Sequence, residues 1–352
     1  MGEQKTTKIL ITGAFGNIGK AVISEAHKRQ HKITVFEIDN KKTRKVARKY
    51  QEIIRVVFGD IRDFEAVKSA VQESEMVIHL AAIIPPLSKK NLELTMDVNY
   101  GGTVNLINAI KKTKRRIPFV FTSSASVMGP TQLQDRLVSR NDPLVITGNY
   151  ETSKIKCEKF LKKNADNYLV FRLAGVLPTL SARSLSSMFP LLEEIFEMHR
   201  DMRLEMITAG DVATALVTGG EKLKSGDTLK NQEYILGGGR KNGWQLRGRE
   251  FLSRFFGALS LPVPDQKYFT QDINAYHLDW YDTMEAQQEF SFQNTPIEDY
   301  LQHLKKEFRV LKLPITLFRR VIVRELTKMS PYPDKAGELP VAEQSGAGAA
   351  IG

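Results

Sequence analysis

A tyrosine and a lysine one helical turn apart are well suited to acid–base chemistry in this chain. Tyr150 and Lys154 enclose Glu151, Thr152 and Ser153, and a four-residue spacing places the two outer side chains on one face of a helix. A free phenol has a pKa near about 10, and a neighbouring ammonium group lowers that pKa because it stabilises the phenolate. We therefore predict that Tyr150 is a general acid/base with a lowered pKa and that Lys154 is its partner.

Serine hydroxyls precede this helix in the sequence. Residues 121–129 read Phe-Thr-Ser-Ser-Ala-Ser-Val-Met-Gly. The apolar residues 119–121 predict a strand over 119–122. In open α/β sheets, ligands bind beyond the carboxyl ends of the strands. A serine hydroxyl at this strand end could therefore hydrogen-bond a substrate carbonyl or alcohol.

A glycine-spaced turn near the start of the chain is typical of nucleotide binding. Residues 12–19 read Thr-Gly-Ala-Phe-Gly-Asn-Ile-Gly, directly after the apolar run 9–11. Gly13 permits a tight turn, Gly16 lets the backbone approach a pyrophosphate, and Gly19 lets the following helix pack close to the strand. The N–H groups and the dipole at this helix start favour an anion. The spacing is G-x-x-G-x-x-G rather than G-x-G-x-x-G, so a glycine-rich turn without a ligand is the alternative. The predicted dinucleotide contacts in this turn are Gly13, Phe15, Gly16, Asn17, Ile18 and Gly19.

Acidic residues at the end of the second predicted strand bear on the choice of cofactor. A carboxylate from Glu37 or Asp39 could accept both hydroxyls of the adenosine ribose and would repel the 2′-phosphate of NADP. We favour Glu37, because it ends the strand cleanly, whereas Asp39 could lie in the following turn. NAD is therefore expected, with NADP as the less favoured alternative. The basic residues that could tolerate a phosphate are Lys41, Lys42 and Arg44.

The ends of the third and fourth predicted strands complete the expected cofactor site. Asp60 could accept a hydrogen bond from the adenine amino group while Ile61 covers the ring. Small residues after the fourth strand would let the cofactor lie across the strand ends, and His79 before them is interpreted as a packed strand residue. Lys154 could in addition bind the hydroxyls of the nicotinamide ribose. The predicted contacts after the fourth strand are Leu80, Ala81 and Ala82.

Strand and helix patterns alternate through the first half of the chain. Near-continuous apolar strands between helices imply a parallel sheet covered on both faces. The predicted fold is α/β, a Rossmann-type doubly wound parallel sheet with a smaller C-terminal substrate-binding region. The predicted strands cover residues 8–11, 33–38, 54–58, 76–81, 119–122 and 168–173. The predicted helices cover residues 16–29, 41–50, 64–71, 99–111, 150–163, 189–199, 211–223 and 249–257. A later helix is expected to have Thr295 as its N-cap and Pro296 in its first position.

The same patterns divide the chain into regions. An NAD(P)-binding domain is predicted over residues 1–180, with 206–224 returning to it. Residues 181–205 and 225–310 are expected to form the substrate-binding region. A basic amphipathic arm follows over 311–334. Residues 335–352 are rich in small and polar residues and are predicted to be disordered.

Composition excludes several classes of protein. The chain has 352 residues and one cysteine, Cys157, so an internal disulfide framework is impossible and a reducing, cytoplasmic compartment is expected. Cys157 is interpreted as a helix residue without chemistry. No run of 18 apolar residues is present, so no transmembrane helix is expected. The sequence predicts no metal site. It also lacks an aromatic and basic platform for nucleic acid, and no nucleic-acid partner is expected.

The net charge of +11 is concentrated in the C-terminal arm. Residues 305–328 contain eight Lys or Arg and two Glu. Helical spacing joins the apolar residues Ile315, Phe318, Ile322 and Leu326, and Arg320, Arg324 and Lys328 lie largely on the other side. The helix is expected to begin at Pro314 and to be limited by Pro331. Such a helix could lie on an anionic membrane surface, or it could dock on its own body or on a partner subunit.

These motifs occur in the order found in one enzyme family. The chain resembles an extended short-chain dehydrogenase/reductase of the NAD-dependent epimerase/dehydratase group, through residues 12–19, 60–61, 79–82, 123–125 and the Tyr150/Lys154 pair. The resemblance implies that Ser124, rather than Ser123, is the catalytic serine and that Asn99 helps to position Lys154 through water. It also implies an enzyme that uses NAD, acts on a small molecule and forms a homodimer through the helices 99–111 and 150–163.

Departures from the family pattern concern the substrate. The loop 83–87 is apolar, residues 173–176 lack the Asn that sugar-nucleotide members tend to carry, and Met128 replaces a usual aromatic residue. We therefore expect an NAD(P)-dependent oxidoreductase that transfers hydride at a carbinol or ketone carbon of a less polar substrate. A nucleotide-sugar epimerase or dehydratase and a non-catalytic dinucleotide-binding sensor are the alternatives. The arginines that could hold an anionic group, or could simply be surface residues, are Arg183, Arg240 and Arg247.

Overall fold

A computed structural model of the chain describes residues 6–178, 194–226 and 229–332. Its main element is a sheet of seven parallel strands in the order β3-β2-β1-β4-β5-β6-β9, as the predicted α/β Rossmann-type fold requires. The strands are β1 Lys8–Thr12, β2 Lys32–Glu37, β3 Ile54–Phe58, β4 Met76–His79, β5 Phe119–Ser124, β6 Tyr168–Leu173 and β9 Gln232–Leu236.

Helices cover both faces of this sheet because its strands are apolar on both sides. Val22 and Leu216 belong to the core on one face, and Val67, Leu106 and Leu161 belong to the core on the other. The helices of this part are α1 Asn17–Lys28, α2 Lys41–Ala47, α3 Phe64–Val71, α4 Leu87–Lys90, α5 Leu92–Thr95, α6 Gly102–Lys112, α7 Asn149–Asn164 and α8 Ala209–Ser225.

A second, smaller unit contains a three-stranded sheet in the order β10-β8-β7. Its core is aromatic, with Trp244, Phe251 and Phe269 fully buried. Its strands are β7 Gly175–Leu177, β8 Arg203–Thr208 and β10 Gln245–Arg247. Its helices are α9 Gly248–Ala258, α10 Met284–Phe290, α11 Ile297–Glu307 and α12 Lys312–Thr327.

A buried carboxylate ties the segments of this unit together. Glu205 on β8 accepts hydrogen bonds from the Tyr281 N–H at 3.0 Å, from Gln245 Nε2 at 2.9 Å and from the Gly239 N–H at 2.9 Å. Burial raises the pKa of Glu205 to about 7, and the three donors only partly oppose this rise. The carboxyl group is therefore a titratable link between a strand and two loops.

Some predicted element boundaries were wrong. The helix predicted to start at residue 99 is preceded by α5 and by a π-helical turn over Met96–Gly101. The last predicted cap fails as well, because α11 has Pro296 as its N-cap and the Thr295 hydroxyl instead donates to Asp211 at 3.0 Å. In the described part of the helix predicted over 189–199, Glu194 is helical and a 3₁₀ turn covers Ile195–Glu197. Residues 189–193 lie outside the described residues.

The C-terminal arm is helical, as predicted, but α12 begins two residues before Pro314. Proline is tolerated there because the first turn of a helix has no internal acceptors for its N–H groups. Within the described ranges, no helix is long and apolar enough to span a bilayer. The predicted disordered tail, 335–352, lies outside the described residues.

Candidate functional site

A crevice of about 720 Å³ lies at the carboxyl ends of the central strands. This volume is within the usual range for ligand pockets, roughly 300–1,000 Å³, and the position is the one where open α/β sheets bind ligands. Most of the residues predicted to contact the cofactor line it. They are Gly13, Phe15, Gly16, Asn17, Ile18, Gly19, Glu37, Asp60, Ile61, Leu80, Ala81 and Ala82. Three other predicted cofactor contacts, Asp39, Tyr150 and Lys154, are not among the lining residues.

The glycine turn brings backbone close to backbone at the floor of this crevice. Gly13 has φ +67°, and a Cβ there would lie 2.6 Å from the backbone nitrogen of Ala81. A Cβ at Gly19 would collide with the backbone of Ala14. Helix α1 starts after Gly16 without a side-chain cap, so the N–H groups of its first turn are available to an anion in the crevice.

Of the two candidate carboxylates on β2, Glu37 faces the crevice. Its Oε1 accepts the Phe15 N–H at 2.8 Å, and burial raises its pKa. Asp39 forms two 2.6 Å hydrogen bonds with Arg44, which lower its pKa, and this exposed ion pair lies outside the crevice lining. The geometry therefore favours Glu37 as the ribose acceptor, as preferred on sequence grounds.

Basic residues lie at the same end of the crevice. Asp60 is held by Arg62 at 2.6 Å, and these hydrogen bonds lower the pKa of Asp60. Lys42 and Arg62 both line the crevice. The sequence reasoning noted Lys42 but missed Arg62, although its position two residues after Asp60 was a usable signal.

The catalytic candidates lie together at the end of β5. The Ser124 hydroxyl lies beside the Tyr150 phenol and lowers its pKa, and Ser124 Oγ lies 2.9 Å from Ser126 Oγ. Ser126 Oγ in turn donates to Glu151 Oε1 at 2.9 Å. By contrast, the buried hydroxyl of Ser123 has no hydrogen-bond partner among the described residues. This difference supports Ser124 over Ser123 as the serine of the site.

The order of donors among these hydroxyls follows from counting protons. Ser126 has one hydroxyl proton and donates it to Glu151, so Ser124 must be the donor to Ser126. A hydrogen-bonded path therefore runs from Ser124, beside the phenol, through Ser126 to the Glu151 carboxylate. Sequence reasoning missed Ser126 and Glu151, because only the fold brings the 3₁₀ turn Ala125–Met128 against α7.

The predicted lowering of the Tyr150 pKa is wrong. Burial raises the pKa of Tyr150, with a further contribution from Glu151, and the Ser124 hydroxyl, which can stabilise the phenolate, only partly opposes this rise. Lys154 Nζ donates to the Thr122 carbonyl at 2.8 Å and lies over the face of the Tyr150 ring, 5.8 Å from its centroid. Burial lowers the pKa of Lys154 to about 8. Desolvation thus outweighs the attraction between the two groups.

Asn99 has a structural role and is not among the residues that line the crevice. Its Oδ1 accepts the Ile83 N–H at 2.7 Å, and its Nδ2 donates to the Ile83 carbonyl at 3.0 Å and to Ser153 Oγ at 2.9 Å. Asn99 thereby fixes the loop after β4 against helix α7. It lies in the π-helical turn, a feature frequent at functional sites. Its expected role toward Lys154 through water stays a prediction.

The remaining candidates are structural in the described part of the chain. His79 is buried between Thr12 Oγ1 at 2.6 Å and Thr103 Oγ1 at 3.1 Å, and burial lowers its pKa to about 3. It is therefore a packed strand residue, as expected. No cluster of potential metal ligands occurs among the described residues.

Neither of the two described arginines considered for an anionic group lines the crevice. Arg247 donates to the Asp201 carbonyl at 2.9 Å and covers the Trp280 ring, and Arg240 is exposed. Arg183 lies outside the described residues. The crevice lining also includes the apolar residues Ile83, Ile84 and Val176.

Comparisons with known proteins agree with this geometry. A family model described as the 3-beta hydroxysteroid dehydrogenase/isomerase family matches residues 10–234. A UDP-glucose 4-epimerase of Mycoplasma genitalium is 31% identical over 159 residues, which are 44% of this chain and 46% of that protein. The 3 beta-hydroxysteroid dehydrogenase type 7 of Rattus norvegicus is 29% identical over 124 residues, 34% of this chain and 36% of that protein. The chain thus matches about half or less of the length of these curated relatives.

Solved structures show the same fold at low identity. The UDP-glucose-4-epimerase of Stenotrophomonas maltophila, crystallised with NAD and formylated UDP-arabinopyranose, has a TM-score of 0.70 and 20% identity. The alignment covers 88% of this chain and 99% of that one. It therefore includes the second unit as well as the parallel sheet.

Proposed function

Because this chain belongs to the 3-beta hydroxysteroid dehydrogenase/isomerase family, we propose that it is an NAD-dependent oxidoreductase that transfers hydride at a carbinol or ketone carbon of a small molecule. The family lies within the extended short-chain dehydrogenases/reductases, so the resemblance stated from the sequence is confirmed. The observation that carries the proposal is the placement of Tyr150 beside Ser124, from which a hydrogen-bonded path leads through Ser126 to Glu151.

The residues of the crevice fit NAD. The glycine turn and the first turn of α1 offer N–H groups to the pyrophosphate, and Glu37 offers a carboxylate to the adenosine ribose. Asp60 and Ile61 would contact the adenine, and Lys154 would reach the ribose of the nicotinamide. The cofactor, when bound, supplies the hydride acceptor for alcohol oxidation or the hydride donor for carbonyl reduction.

Tyr150 and Ser124 would handle the proton and the substrate oxygen. In alcohol oxidation Tyr150, as a phenolate, would accept the proton of the substrate hydroxyl. In carbonyl reduction the Tyr150 phenol would donate a proton to the substrate oxygen. Ser124 would orient the oxygen, and the Ser126–Glu151 branch provides a path by which the phenol proton can leave.

We propose a substrate that is less polar than a nucleotide sugar. The apolar lining at Ile83, Ile84 and Val176 disfavours charged groups because their desolvation would be costly. The hydroxysteroid named in the family description is an apolar secondary alcohol. A nucleotide-sugar epimerase or dehydratase is the second candidate, favoured by the similarity to the Mycoplasma and Stenotrophomonas epimerases.

Turnover tests separate these candidates. We would incubate the full chain with NAD and a panel of apolar secondary alcohols, including 3β-hydroxysteroids, and separately with UDP- and dTDP-hexoses. Formation of NADH with an alcohol supports the dehydrogenase, whereas a new sugar without net NADH supports the epimerase. Tyr150→Phe should reduce turnover at least about a hundredfold, because general acid–base catalysis contributes about 10²–10⁴.

The control variant is Tyr100→Phe, which removes a phenol hydroxyl from a ring that packs edge-on against Phe160. It should leave turnover unchanged. NAD binding without any turnover, the same in wild type and Tyr150→Phe, would instead favour the non-catalytic sensor.

Assembly and regional roles are further proposals. We propose a homodimer that uses α6 and α7, and sedimentation equilibrium would test it. We also keep the division into a cofactor domain, 1–180 with 206–224, and a substrate region, 181–205 with 225–310. Peripheral membrane contact through the arm is proposed because residues 305–328, which include most of the arm, contain eight Lys or Arg and only two Glu. A cytoplasmic location stays a prediction that rests on the single cysteine.

A further inference from the structure

The arm helix α12 has two apolar faces rather than one. Ile315 and Leu326 pack against the aromatic core of the second unit. Phe318, which the sequence placed on the same face, points outward and is 60% exposed. It joins an outer set that is 47–83% exposed and that we call the apolar ridge. The ridge consists of Val310, Leu313, Leu317, Phe318 and Val321.

Cations border the ridge along its length. Arg320 follows Leu317 by three residues and Arg324 follows Val321 by three, so each guanidinium lies beside a ridge residue. A groove of about 500 Å³ at the start of the helix is lined by Lys305, Lys306, Arg309 and Lys312. These four side chains and Arg320 form no ion pair with another residue of the described ranges.

We propose that the apolar ridge and its cations bind an anionic lipid bilayer, with α12 lying in the plane of the interface. An exposed apolar stripe flanked by long basic side chains is the composition of an interfacial helix. The arginine and lysine stems can lie along the acyl boundary while their charged groups contact lipid phosphates. Each cation near an anionic surface contributes to binding.

A second copy of this chain fits the ridge poorly. If two copies packed their ridges around a twofold axis, the same surface of each copy would form the contact. Arg320 and Arg324 of one copy would then approach their counterparts. Residues 305–332 offer only Glu307 and Glu325 as acidic residues, and Glu325 is already paired with Lys328 at 2.6 Å. Charge complementarity therefore favours lipid over self-association.

The residues that follow α12 are anchored to the second unit. Ser330 Oγ donates to the Tyr268 carbonyl at 2.6 Å, and Tyr332 packs against the aromatic core. A bilayer bound at the ridge would therefore contact a helix that is fixed to the body of the protein. The lipid contact itself does not depend on the proposed oxidoreductase activity.

Vesicle sedimentation of the full chain tests the proposal. We expect the protein to sediment with phosphatidylcholine vesicles that contain phosphatidylserine, and far less with phosphatidylcholine alone. Added salt should release it, because screening weakens the attraction of surface charges. Equal binding to both vesicle types, or no binding to either, would overturn the proposal.

Matched variants identify the surface. Leu317→Asp should weaken vesicle binding at least tenfold, whereas Leu133→Asp, at a leucine 84% exposed elsewhere, should leave binding unchanged. Arg320→Gln should weaken binding about fivefold, the effect of losing about 1 kcal/mol, and Arg48→Gln at another exposed site should not. All four side chains are exposed, so unchanged melting curves are expected and will exclude misfolding.

Two results would refute the ridge as the lipid site. One is the same loss of binding in Leu317→Asp and Leu133→Asp. The other is a dimer, measured by sedimentation equilibrium without lipid, that Leu317→Asp dissociates, because the ridge would then be covered by a second copy. Both measurements are independent of turnover, so failure of the proposed enzyme activity would not affect them.

Discussion

Replacing Glu37 by alanine should weaken NAD binding strongly and relax the discrimination against NADP. The carboxylate lines the crevice at the end of β2 and accepts the Phe15 N–H at 2.8 Å. Hydrogen bonds to charged groups contribute about 1.5–3 kcal/mol each, and two ribose hydroxyls would share this acceptor. Allowing for the bonds to water that the ribose regains, we expect a net loss of about 2–3 kcal/mol. This loss corresponds to roughly 30- to 150-fold in the dissociation constant of NAD.

The effect on NADP should have the opposite sign. Loss of the carboxylate removes its repulsion of the 2′-phosphate, and Lys42 and Arg62 line the same end of the crevice. NADP affinity should therefore rise in Glu37→Ala while NAD affinity falls. Glu37→Gln separates charge from size: it should restore part of the NAD affinity and keep most of the gain for NADP.

Isothermal titration of both nucleotides measures these changes without knowledge of the substrate. The matched control is Asp39→Ala, because Asp39 is the other acidic residue of this strand end but is paired with Arg44 outside the crevice. We expect NAD affinity in this control to stay within about twofold, since exposed ion pairs contribute little. Similar losses of NAD affinity in the two variants would show that Glu37 is not the ribose acceptor.

Three further tests concern Glu205, Gly13 and Ser126, the last two with a control variant each. The Glu205 carboxyl, with its pKa raised to about 7, keeps its proton in the folded protein and loses it in the unfolded chain between about pH 4.5 and 7. The free energy of unfolding should therefore fall by about 3 kcal/mol between about pH 4.5 and 7. Glu205→Gln should remove this fall, as measured by urea titrations at both ends of that pH range. Gly13→Ala, where a Cβ meets backbone at φ +67°, should lower the free energy of unfolding by about 3 kcal/mol. Gly226→Ala, at φ +89° where an added Cβ would meet no atom of the described residues within 4 Å, should cost only about 1 kcal/mol in the same assay. Ser126→Ala should reduce turnover about tenfold and change its pH profile, whereas Ser123→Ala should leave the profile unchanged.

The cofactor crevice could be predicted largely from the sequence because its chemistry is local. Each contributing segment follows directly after a strand, and the carboxyl ends of parallel strands meet at one edge of the sheet. The glycine spacing therefore identified the turn at Gly13. The position of Glu37 at the end of the second predicted strand identified it as the candidate carboxylate. The choice between Glu37 and Asp39 was also possible, since only the former completes the strand.

Properties that depend on burial could not be predicted in this way. The sequence shows that Tyr150 and Lys154 share a helix face, but not how much water surrounds them. Likewise, helical spacing grouped Ile315 with Phe318, yet only the packing of α12 on the second unit shows that one points inward and the other outward. Ser126 and Glu151 are far apart in the chain and meet only through the folded arrangement of β5 and α7.

Burial has a consequence for the direction of the proposed reaction. It raises the pKa of Tyr150 and lowers that of Lys154 to about 8, so near neutral pH the phenol keeps its proton. A protonated phenol is ready to donate to a carbonyl oxygen, whereas alcohol oxidation first requires that this proton leave. The hydrogen-bonded path through Ser124 and Ser126 to Glu151 points away from the phenol and supplies that exit. The proton path, rather than the Tyr–Lys pair alone, would then set how readily the site oxidises an alcohol.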